Sequence, residues 1–373
     1  MDRYAPPIVA VLGGGQLGRM LGLAGIPLGL GFRFLDPSTA APAQSLGTLV
    51  VGALDDETAL LKTVETAEVV TYEWEGAPAD AARMLEARGH TVHPSTRALE
   101  VSQDRLVEKT TFRELGIPVT EFANVETLDD LQDAAARIGL PAVLKTRRGG
   151  YDGKGQVVIR ERAELEAAFG ALREGAPLIL EAMVPFDREL SVLAVRGTDG
   201  DVRAWPLVQN HHADGILRLS RAPAPGLTDE VQTMAVRYAR AVMQAFDYVG
   251  VLAVELFQVG DALLANEMAP RVHNSGHWTI EGAVTSQFEN HVRAILGWPL
   301  GATDPRGVSA MVNLIGELPD PAAVLAVEGA HLHRYGKAPR PGRKVGHVTV
   351  TADDAAELDA RLARLPTDLD TPA

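Results

Sequence analysis

Cysteine is absent from the 373-residue sequence. This absence excludes a disulfide scaffold, a thiolate metal site and a cysteine nucleophile. The sequence also lacks an uninterrupted apolar run of about 18 residues, which a membrane-spanning helix requires. Residues 1–7 lack the basic and apolar pattern of a signal peptide. We therefore expect a soluble, cytoplasmic protein without a membrane partner.

Basic residues are in the minority, since 35 Lys and Arg stand against 49 Asp and Glu and give a formal net charge of −14. A protein that binds the nucleic-acid backbone through bulk charge needs the opposite balance, so we expect no nucleic-acid partner. A local group of cations must then bind a small anion. The chain length and the hydrophobic content of 46% predict two or three domains with real cores.

Cations and glycines are concentrated in residues 145–156, which read KTRRGGYDGKGQ. Glycines let a backbone approach a ligand closely, while Lys and Arg supply charge and donors to an anion. Lys145 closes an apolar strand-like run and is a candidate phosphate ligand. The segment lacks the Gly-Lys-Ser/Thr of a Walker P-loop. We interpret it as a lid between two strands over a nucleotide; the alternative is a solvated hairpin, because Gly-Tyr-Asp-Gly also suits a turn.

The N-terminal region carries a weak dinucleotide motif. An apolar strand-like run is followed by Gly13, Gly15 and Gly18 in the spacing GxGxxG, and Asp36 closes a second strand-like run. Taken alone, this pattern indicates a dinucleotide cofactor. Two alternatives stay open. Either the glycines suit the first turn of any doubly wound domain, or the helix N-terminus binds another phosphate.

A further strand-like run, residues 69–75, ends in acidic residues. The carboxyl ends of parallel strands line the ligand crevice of a doubly wound sheet, so Glu73 is a candidate to contact a ribose or an amine. The alternative is that Glu73 caps the next helix. We place a domain boundary near residue 100. Arg105 then stands in the first turn of a helix, where the helix dipole disfavours it, and this hints at an anionic partner.

The central region offers polar candidates at the ends of its strands. Glu181 and Glu189 stand at the two ends of a short link. One suits an adenine amine and the other suits ribose hydroxyls; the alternative is a pair of surface carboxylates. Residues 210–215 are predicted to be a polar connection. The pattern leaves open whether His211 or His212 faces the site, or whether both are structural.

Two acidic residues are predicted to face each other in a later hairpin. If residues 260–262 form a three-residue loop, Val259 pairs with Leu263, and this register places Glu255 opposite Glu267. Like charges there are destabilising unless a cation lies between them, and magnesium bound to a triphosphate is the natural occupant. The alternative is an exposed acidic pair in a hairpin that is slipped by one residue.

Residues 269–279, which follow this hairpin, are dense in polar groups. Such a loop costs stability unless it serves a ligand. Arg271 is a candidate to stabilise charge on a transferred group, with His273 and Asn274 orienting that group. A hydrolase triad is a poor interpretation, because neither Ser275 nor the histidines lie in a nucleophile elbow.

A third region begins near Pro305 and contains a second basic segment, with four cations in residues 337–344. This segment precedes a closing strand and again lies within an acidic protein. The last helix has regularly spaced leucines, which predict packing rather than function.

Five segments together carry a resemblance to a known family. They are GGGQLGRM at residues 13–20, the lid at 145–156, RELS at 188–191, NEMAPRVHNSGHWT at 266–279 and GRKVGH at 342–347. Over nearly its whole length the chain is similar to the 5-(carboxyamino)imidazole ribonucleotide synthases, the ATP-grasp family of purine biosynthesis. Segments 149–156 and 266–279 are specific to this family among ATP-grasp ligases, whereas the GxGxxG is not.

This resemblance implies a fold that is α/β and α+β, with three domains. A Rossmann-like (pre-ATP-grasp) domain is expected over residues 1–100, an ATP-grasp domain with a lid subdomain over 101–304, and a small C-terminal domain over 305–373. The first domain is expected to bind substrate rather than NAD. A homodimer is expected from the family alone.

The resemblance also implies which residues bind ATP, a metal and the second substrate. ATP is expected at Arg105, Lys145, Gly150, Tyr151, Asp152, Gly153, Lys154, Gly155, Gln156, Glu181, Ala182, Met183, Val184, Glu189, His212, Asn266 and Glu267. Magnesium, with manganese as an alternative, is expected on Glu255 and Glu267. The ribonucleotide is expected at Gln16, Leu17, Glu73, Tyr151, Asp152, Arg271, Asn274, Ser275, Lys337 and Arg343.

The implied reaction begins when bicarbonate attacks the γ-phosphorus of ATP and gives carboxyphosphate and ADP. Carboxyphosphate, or carbon dioxide released from it, then carboxylates the amine of 5-aminoimidazole ribonucleotide. This chemistry needs neutralised charge and exclusion of water rather than a protein nucleophile. We assign Arg271 to stabilising carboxyphosphate, and Asp152 with His273 to positioning the amine or taking its proton.

Two rival functions stay open at this point. An ATP-grasp transferase that uses formate and a glycinamide ribonucleotide would share the ATP site. An NAD-dependent oxidoreductase would use the GxGxxG with Asp36, but it would leave the lid and the acidic hairpin without a role.

Overall fold

Three β-sheets follow one another along the described part of the chain. The structure is a computed structural model that describes residues 6–150, 153–173 and 176–367. The first sheet is parallel, in the order β3-β2-β1-β4. Its elements are β1 (Ile8–Leu12), α1 (Gln16–Gly25), β2 (Gly31–Asp36), β3 (Thr48–Val51), α2 (Glu57–Val64), β4 (Val69–Tyr72), α3 (Ala79–Ala87) and α4 (Thr96–Ser102).

The central strand β1 is almost entirely buried and apolar, as expected for a parallel strand with both faces covered. The helix that follows it, α1, packs against a later helix of the chain. Leu21 of α1 therefore shares one core with Trp205, Trp278 and Phe288 from the third sheet and its helices. The Rossmann-like order of strand, glycine turn and helix is present, as predicted.

The second sheet is antiparallel, in the order β5-β8-β6-β7. Its elements are α5 (Arg105–Glu114), β5 (Phe122–Val125), α6 (Leu128–Ile138), β6 (Ala142–Thr146), β7 (Gln156–Ile159), α7 (Leu165–Leu172) and β8 (Leu178–Ala182). Because β6 pairs with β7, the lid segment connects two neighbouring strands, which confirms the prediction. Tyr151 and Asp152, two predicted ligand residues in this segment, lie outside the described residues.

The third sheet has nine antiparallel strands, in the order β14-β13-β9-β11-β12-β15-β17-β16 with β10 beside β9. The strands are β9 (Arg188–Arg196), β10 (Val202–Ala204), β11 (Val208–Ala213), β12 (Ile216–Ala222), β13 (Gly250–Val259), β14 (Ala262–Ala269), β15 (Val308–Ile315), β16 (Ala330–Arg334) and β17 (Lys344–Ala352). The helices are α8 (Asp229–Ala245), α9 (Thr279–Gly282), α10 (Gln287–Ile295), α11 (Pro321–Leu325) and α12 (Ala355–Leu362).

The C-terminal strands extend this third sheet instead of forming one of their own. β12 pairs with β15 from Leu219 opposite Val312 to Ala222 opposite Ser309. Val312 and Val350 pack with Leu219 in one core. The loop between β16 and β17, which carries the second basic segment, is thereby held in a fixed place relative to the central region. Within the part of the chain that is described, no helix combines the length and apolar character needed to cross a bilayer.

The prediction of a polar connection at residues 210–215 is wrong. Strand β11 continues to Ala213, and only Asp214 and Gly215, both with positive φ, form the turn. Asn210 is buried inside the sheet, where both polar atoms of its amide are hydrogen-bonded. Its Nδ2 donates to Oγ of Ser191 (2.6 Å), and its Oδ1 accepts from Oγ of Ser220 (2.8 Å). Polar residues whose hydrogen bonds are satisfied within a sheet resemble a loop in sequence.

The β13–β14 hairpin reaches the predicted pairing by another route. Val259 pairs with Ala262, one residue earlier than predicted, so the turn has two residues rather than three. A β-bulge at Asn266 then shifts the register by one residue, and Glu255 lies opposite Glu267. The pairing of the two glutamates is confirmed, whereas the predicted turn is wrong.

Candidate active site

The glycine turn after β1 is filled by a carboxylate of the protein itself. Glu73, just beyond β4, accepts hydrogen bonds from the backbone N–H groups of Gly15 (2.6 Å) and Gly18 (2.8 Å) at the N-terminus of α1. A Cβ atom on Gly13 or Gly15 would collide with this side chain. Glu73 therefore does cap a helix, but the helix is α1 and not the next one along the chain, because β4 lies beside β1 in the sheet.

These contacts remove the basis for a dinucleotide cofactor. A pyrophosphate at this turn would need the N–H groups that Glu73 occupies. Asp36, the candidate ribose ligand, instead accepts from the N–H groups of Gly14 (2.9 Å) and Ser38 (2.8 Å). Burial raises the pKa of Glu73 above its usual range, although the two N–H bonds and Lys337 oppose this effect.

Replacing Gly15 by alanine is expected to destabilise the protein by about 1–3 kcal/mol, because the new methyl group must displace the Glu73 carboxylate. The backbone of Gly15 has φ −72°, which alanine adopts freely, so the clash alone is tested. Gly170→Ala in α7 is the matched control, since its Cβ meets open space and should stabilise by about 0.5–1 kcal/mol. Urea unfolding measures the stability of both variants. A Gly15→Ala variant as stable as wild type would contradict the role given to Glu73.

The predicted phosphate site of the ribonucleotide lies beside Glu73. Lys337, from the loop between β16 and β17, donates from Nζ to Oε1 of Gln16 in the first turn of α1. The side chain of Leu17 is buried in the core, so only its backbone N–H is available to a ligand. Arg343 lies in the same loop as Lys337, where its charge acts with burial to lower the pKa of that lysine. The structure thus brings these four predicted residues to one corner.

The predicted ATP cleft is marked by a buried ion pair. Nζ of Lys145, in β6, lies 2.9 Å from Oε2 of Glu181 in β8, and Nζ of Lys109, in α5, lies 3.3 Å from the same oxygen. Burial acts to raise the pKa of Glu181, but the two ammonium groups outweigh it and hold the pKa below its usual range. Glu181 is therefore no surface carboxylate. Its Oε1 is buried without a partner among the described residues, so this oxygen suits a hydrogen-bond donor such as an adenine amine.

Two of the four lid cations are engaged by an aspartate. Asp104 accepts two hydrogen bonds from Arg147 (2.9 and 2.7 Å) and one from Arg148 (3.2 Å). Because Asp104 is also the N-cap of α5, this contact fixes the base of the lid to the helix. The interpretation of this segment as a group of anion-binding cations therefore needs correction at Arg147 and Arg148. Lys145 keeps that candidate role.

Replacing Asp104 by asparagine is expected to cost about 1–3 kcal/mol at pH 7, because the amide keeps the helix cap but loses the charge that Arg147 needs. Burial acts to raise the pKa of Asp104, but Arg147 outweighs it and lowers that pKa, so the aspartate stabilises the fold above its ordinary pKa and loses this effect as acid protonates it. The difference between variant and wild type should shrink below pH 3.8. Urea unfolding at pH 7 and at about pH 3 measures this; a constant difference would refute the ion pair.

The lid rests on the turn between β11 and β12. Arg105 donates to the carbonyls of Thr146 (3.1 Å) and Gly150 (2.8 Å), which holds the first half of the lid. In the second half, Gly153 lies so close to Gly215 that a Cβ atom added to Gly153 would stand 3.0 Å from the Cα of Gly215. Positive φ angles at Gly153 (73°) and Gly155 (69°) shape this approach.

Replacing Gly153 by proline is expected to uncouple ATP hydrolysis from product formation while the fold stays intact. Proline fixes φ near −65° and cannot adopt the +73° found there, so the lid cannot lie on the β11–β12 turn. The measurement is the ratio of ADP released to product formed. Gly226→Pro is the control, because Gly226 also has positive φ (64°) but has open space around it. A wild-type ratio in Gly153→Pro would show a simple surface hairpin.

The two glutamates of the hairpin form the candidate metal site. Glu255 lies opposite Glu267, and Nε2 of His273 lies 3.2 Å from Oε1 of Glu255. Burial would raise the pKa of Glu255, but the hydrogen bond from His273, together with the charge of Arg271, outweighs burial and lowers that pKa to about 2. Burial raises the pKa of Glu267, and the charge of Glu255 adds to this effect. Two partly buried carboxylates that face each other in this way suit a divalent cation.

The donor set fits magnesium carried by a nucleotide. Within the described ranges there is no group of three or more His, Asp or Glu side chains suited to hold a metal by themselves. Magnesium commonly uses one or two carboxylates together with substrate phosphates, so two glutamates are sufficient. The phosphates of ATP would have to supply the remaining ligands.

Of the two adjacent histidines, His212 faces the acidic cluster. Its Nδ1 lies 2.8 Å from Oε2 of Glu189, and a β-bulge separates it from His211. Burial acts to lower the pKa of His212, but Glu189 and Glu255 outweigh it and raise that pKa. Glu189 therefore stands in the cleft with a cationic partner and is not an isolated surface acid.

The loop after β14 presents a largely buried arginine that is held by a second acid. Arg271 pairs through Nε with Glu75, and its Nη1 donates to the carbonyl of Val272 (2.9 Å). His273 is fixed at both ring nitrogens, because its Nδ1 lies 2.8 Å from Oγ of Ser275 and its Nε2 contacts Glu255. Both amide atoms of the neighbouring Asn274 are buried without a partner among the described residues, which indicates a ligand contact.

Among the charged residues that are not predicted from the sequence are Glu75, Glu108 and Lys109. Glu75 lies at the same strand end as Glu73, so the rule that selects Glu73 is a sufficient signal for it as well. Glu108 and Lys109 lie within a helix and carry no motif, so no sequence signal points to them.

Three family models match successive parts of the chain. The ribonucleotide synthetase preATP-grasp domain matches residues 7–103, the ATP-grasp domain residues 110–288, and the phosphoribosylaminoimidazole carboxylase C-terminal domain residues 309–361. Together with the charged residues that the second and third sheets bring together, these matches define an ATP-grasp ligase.

Relatives are similar over almost the whole chain. An N5-carboxyaminoimidazole ribonucleotide synthase of Pseudomonas aeruginosa is 51% identical over 357 residues, which are 96% of this chain and 98% of the relative. The crystal structure of N5-carboxyaminoimidazole ribonucleotide synthetase from Thermus thermophilus is 59% identical with a TM-score of 0.93, covering 98% and 100% of the two chains. The crystal structure of an Aspergillus clavatus synthase in complex with ADP and 5-aminoimidazole ribonucleotide is 34% identical with a TM-score of 0.89. The match covers 96% of this chain and 97% of the relative. The chain belongs to the N5-carboxyaminoimidazole ribonucleotide synthase family, as its motifs predict.

Proposed function

We propose that the chain uses ATP to carboxylate the amine of 5-aminoimidazole ribonucleotide, and so makes N5-carboxyaminoimidazole ribonucleotide in purine biosynthesis. One observation carries the proposal: His273, in the candidate ribonucleotide loop, contacts Glu255 of the candidate metal pair at 3.2 Å. The terminal phosphate of ATP and the amine of the ribonucleotide would then meet at one place. The Aspergillus clavatus relative, which binds ADP and the same ribonucleotide, supports this arrangement.

Bicarbonate is the proposed carbon source. One of its oxygens attacks the γ-phosphorus of ATP, ADP leaves, and carboxyphosphate forms. Lys145 is placed to neutralise phosphate charge, and its pairing with Glu181 fixes the direction of its ammonium group. Glu255 and Glu267 would hold magnesium, or manganese in its place, which when bound supplies further charge neutralisation on the phosphates.

Arg271 is the residue that we assign to the charge on carboxyphosphate. Its guanidinium is largely buried, and Glu75 and the carbonyl of Val272 hold it in one orientation. A donor that is already oriented does not need to reorganise as the charge moves, and in a buried site it acts at full strength. The amine nitrogen then bonds to the carboxyl carbon, and phosphate leaves with the oxygen that came from bicarbonate.

The amine must lose a proton in this second step. His273 is the described residue that we assign to positioning the amine or taking its proton, because Ser275 and Glu255 hold its ring in one orientation. To take the proton, one ring nitrogen would have to exchange its present partner for the amine. Asp152, the other predicted participant, lies outside the described residues, so its role stays a prediction. The cytoplasmic location and the homodimer also stay predictions. Light scattering would test the homodimer.

ADP release measured with all combinations of bicarbonate and 5-aminoimidazole ribonucleotide tests the proposal. We expect rapid release only when both are present. Equal release with formate in place of bicarbonate would favour the related transferase, and quenching of NADH fluorescence on addition of the protein would favour the oxidoreductase. Omitting magnesium should abolish turnover, which tests the metal separately.

A further inference from the structure

Two neighbouring residues of α5, Glu108 and Lys109, are buried although both are charged, with only 2% and 1% of their surface exposed. A buried charge costs free energy unless it is paired and hydrogen-bonded. Neither residue is among those predicted to contact ATP, the metal or the ribonucleotide. Their bonding partners therefore indicate what they do.

Both side chains bond the backbone of β14, one on each side of Glu267. Nζ of Lys109 donates to the carbonyl of Asn266 at 3.0 Å, and Oε1 of Glu108 accepts from the N–H of Met268 at 2.7 Å. β14 is the edge strand of the third sheet, so its outward-facing backbone groups need partners from outside the sheet. The residues before and after Glu267 are thus both tied to α5.

The position of these bonds coincides with the β-bulge. Asn266 is the extra residue that brings Glu267 opposite Glu255. A bulged residue is left outside the ladder of backbone hydrogen bonds, so its geometry needs outside support. Lys109 supplies a hydrogen bond to the carbonyl of this residue.

Lys109 also reaches the other side of the cleft. Its Nζ lies 3.3 Å from Oε2 of Glu181, the oxygen that Lys145 also contacts. One ammonium group therefore joins the second sheet, which carries the candidate phosphate ligand Lys145, to the strand that carries Glu267. Both sides of the triphosphate site are set relative to each other through α5.

We propose that Glu108 and Lys109 are positioning residues that fix the Glu267 carboxylate opposite Glu255 for a nucleotide-bound divalent cation. This inference rests on the proposed function, in which Glu255 and Glu267 hold that cation. A role restricted to covering an edge strand predicts lost stability with unchanged cation affinity. The two roles therefore differ in a measurable way.

Calorimetry of ADP binding to the full chain, with and without magnesium, is the test. The quantity of interest is the ratio of the ADP dissociation constant without magnesium to that with magnesium. Lys109→Met removes both bonds of the lysine, Glu108→Leu removes the acceptor for Met268, and Glu108→Gln keeps that acceptor. We expect the ratio to fall about tenfold in Lys109→Met and Glu108→Leu and to change less than about twofold in Glu108→Gln.

Asn290→Leu is the matched structural control. Asn290 is fully buried and its amide bonds both the N–H (2.7 Å) and the carbonyl (3.1 Å) of Gly301, so it also supports backbone groups, but outside the cleft. We expect a lower Tm and a wild-type ratio. If Lys109→Met does not fold, the Glu108→Leu and Glu108→Gln pair decides alone.

If Glu108→Leu has the wild-type ratio of ADP dissociation constants, the proposal is overturned. The two residues would then only cover the edge strand β14. Glu267→Gln distinguishes this failure from failure of the metal site. If wild type shows no effect of magnesium on ADP affinity, or if Glu267→Gln leaves the effect intact, the proposed cation site is wrong and the positioning role falls with it. A magnesium effect that Glu267→Gln removes but Glu108→Leu does not contradicts the positioning role alone.

Discussion

Replacing Arg271 by alanine is expected to lower kcat by about 10²- to 10³-fold while the KM for ATP stays within about threefold of wild type. The guanidinium lies in the ribonucleotide loop rather than among the predicted ATP ligands, so ATP binding should survive its loss. Charge on carboxyphosphate, by contrast, would lose its oriented donor. Steady-state kinetics at saturating bicarbonate measure both parameters.

Two further variants separate chemistry from folding. Arg271→Lys keeps the charge but loses the planar fork that Glu75 holds, so an intermediate kcat is expected. Arg33→Ala removes a largely buried arginine that bonds the carbonyl of Thr63 (2.9 Å) far from the cleft, and it should lower stability without affecting kcat. Normal turnover in Arg271→Ala would remove this residue from the mechanism.

Replacing Glu267 by glutamine is expected to lower kcat at ordinary magnesium concentrations by about 10²-fold or more, and to stabilise the protein without magnesium. The loss follows because the amide is a neutral and weaker ligand for a hard cation. The gain follows because two partly buried carboxylates repel each other across the hairpin, and the substitution removes one charge. Magnesium titration of activity and thermal unfolding without metal measure the two effects.

Glu281→Gln is the control for this substitution. Glu281 is also a largely buried carboxylate, but it pairs with His333 at 2.7 Å in the C-terminal part of the third sheet. Its replacement should leave the magnesium dependence unchanged. If Glu267→Gln has the magnesium dependence of wild type, the paired glutamates do not hold the metal.

Local patterns predict the main elements of the fold well. The strand, glycine turn and helix at the N-terminus and the lid between two strands follow from periodicity and turn chemistry. The pairing of Glu255 with Glu267 is predicted for an incorrect reason, because a two-residue turn and a bulge cancel the one-residue error in register. The sequence around Asn266 does not predict a bulge, because the support for the Asn266 carbonyl comes from Lys109, which is distant in the chain.

Errors arise where long-range contacts decide the role of a residue. Glu73 caps α1 instead of the next helix, because the parallel order of the first sheet brings β4 beside β1. The sequence groups Arg147 and Arg148 with the phosphate-binding cations, but a buried aspartate more than 40 positions away in the chain engages both. Positive charge in a glycine-rich segment indicates that an anion is bound there. It does not show whether that anion is a ligand or a side chain of the protein.

Oxygen-18 transfer from labelled bicarbonate to inorganic phosphate is the most direct single measurement of the proposed chemistry. If carboxyphosphate forms at this site, each turnover leaves one bicarbonate oxygen on the released phosphate, and it does so only when ATP is consumed. We expect labelled phosphate in step with ADP release, and a labelled carboxyl group on the ribonucleotide amine. Phosphate that carries its new oxygen from water, while ADP and carboxylated product still form, would contradict attack by bicarbonate on ATP.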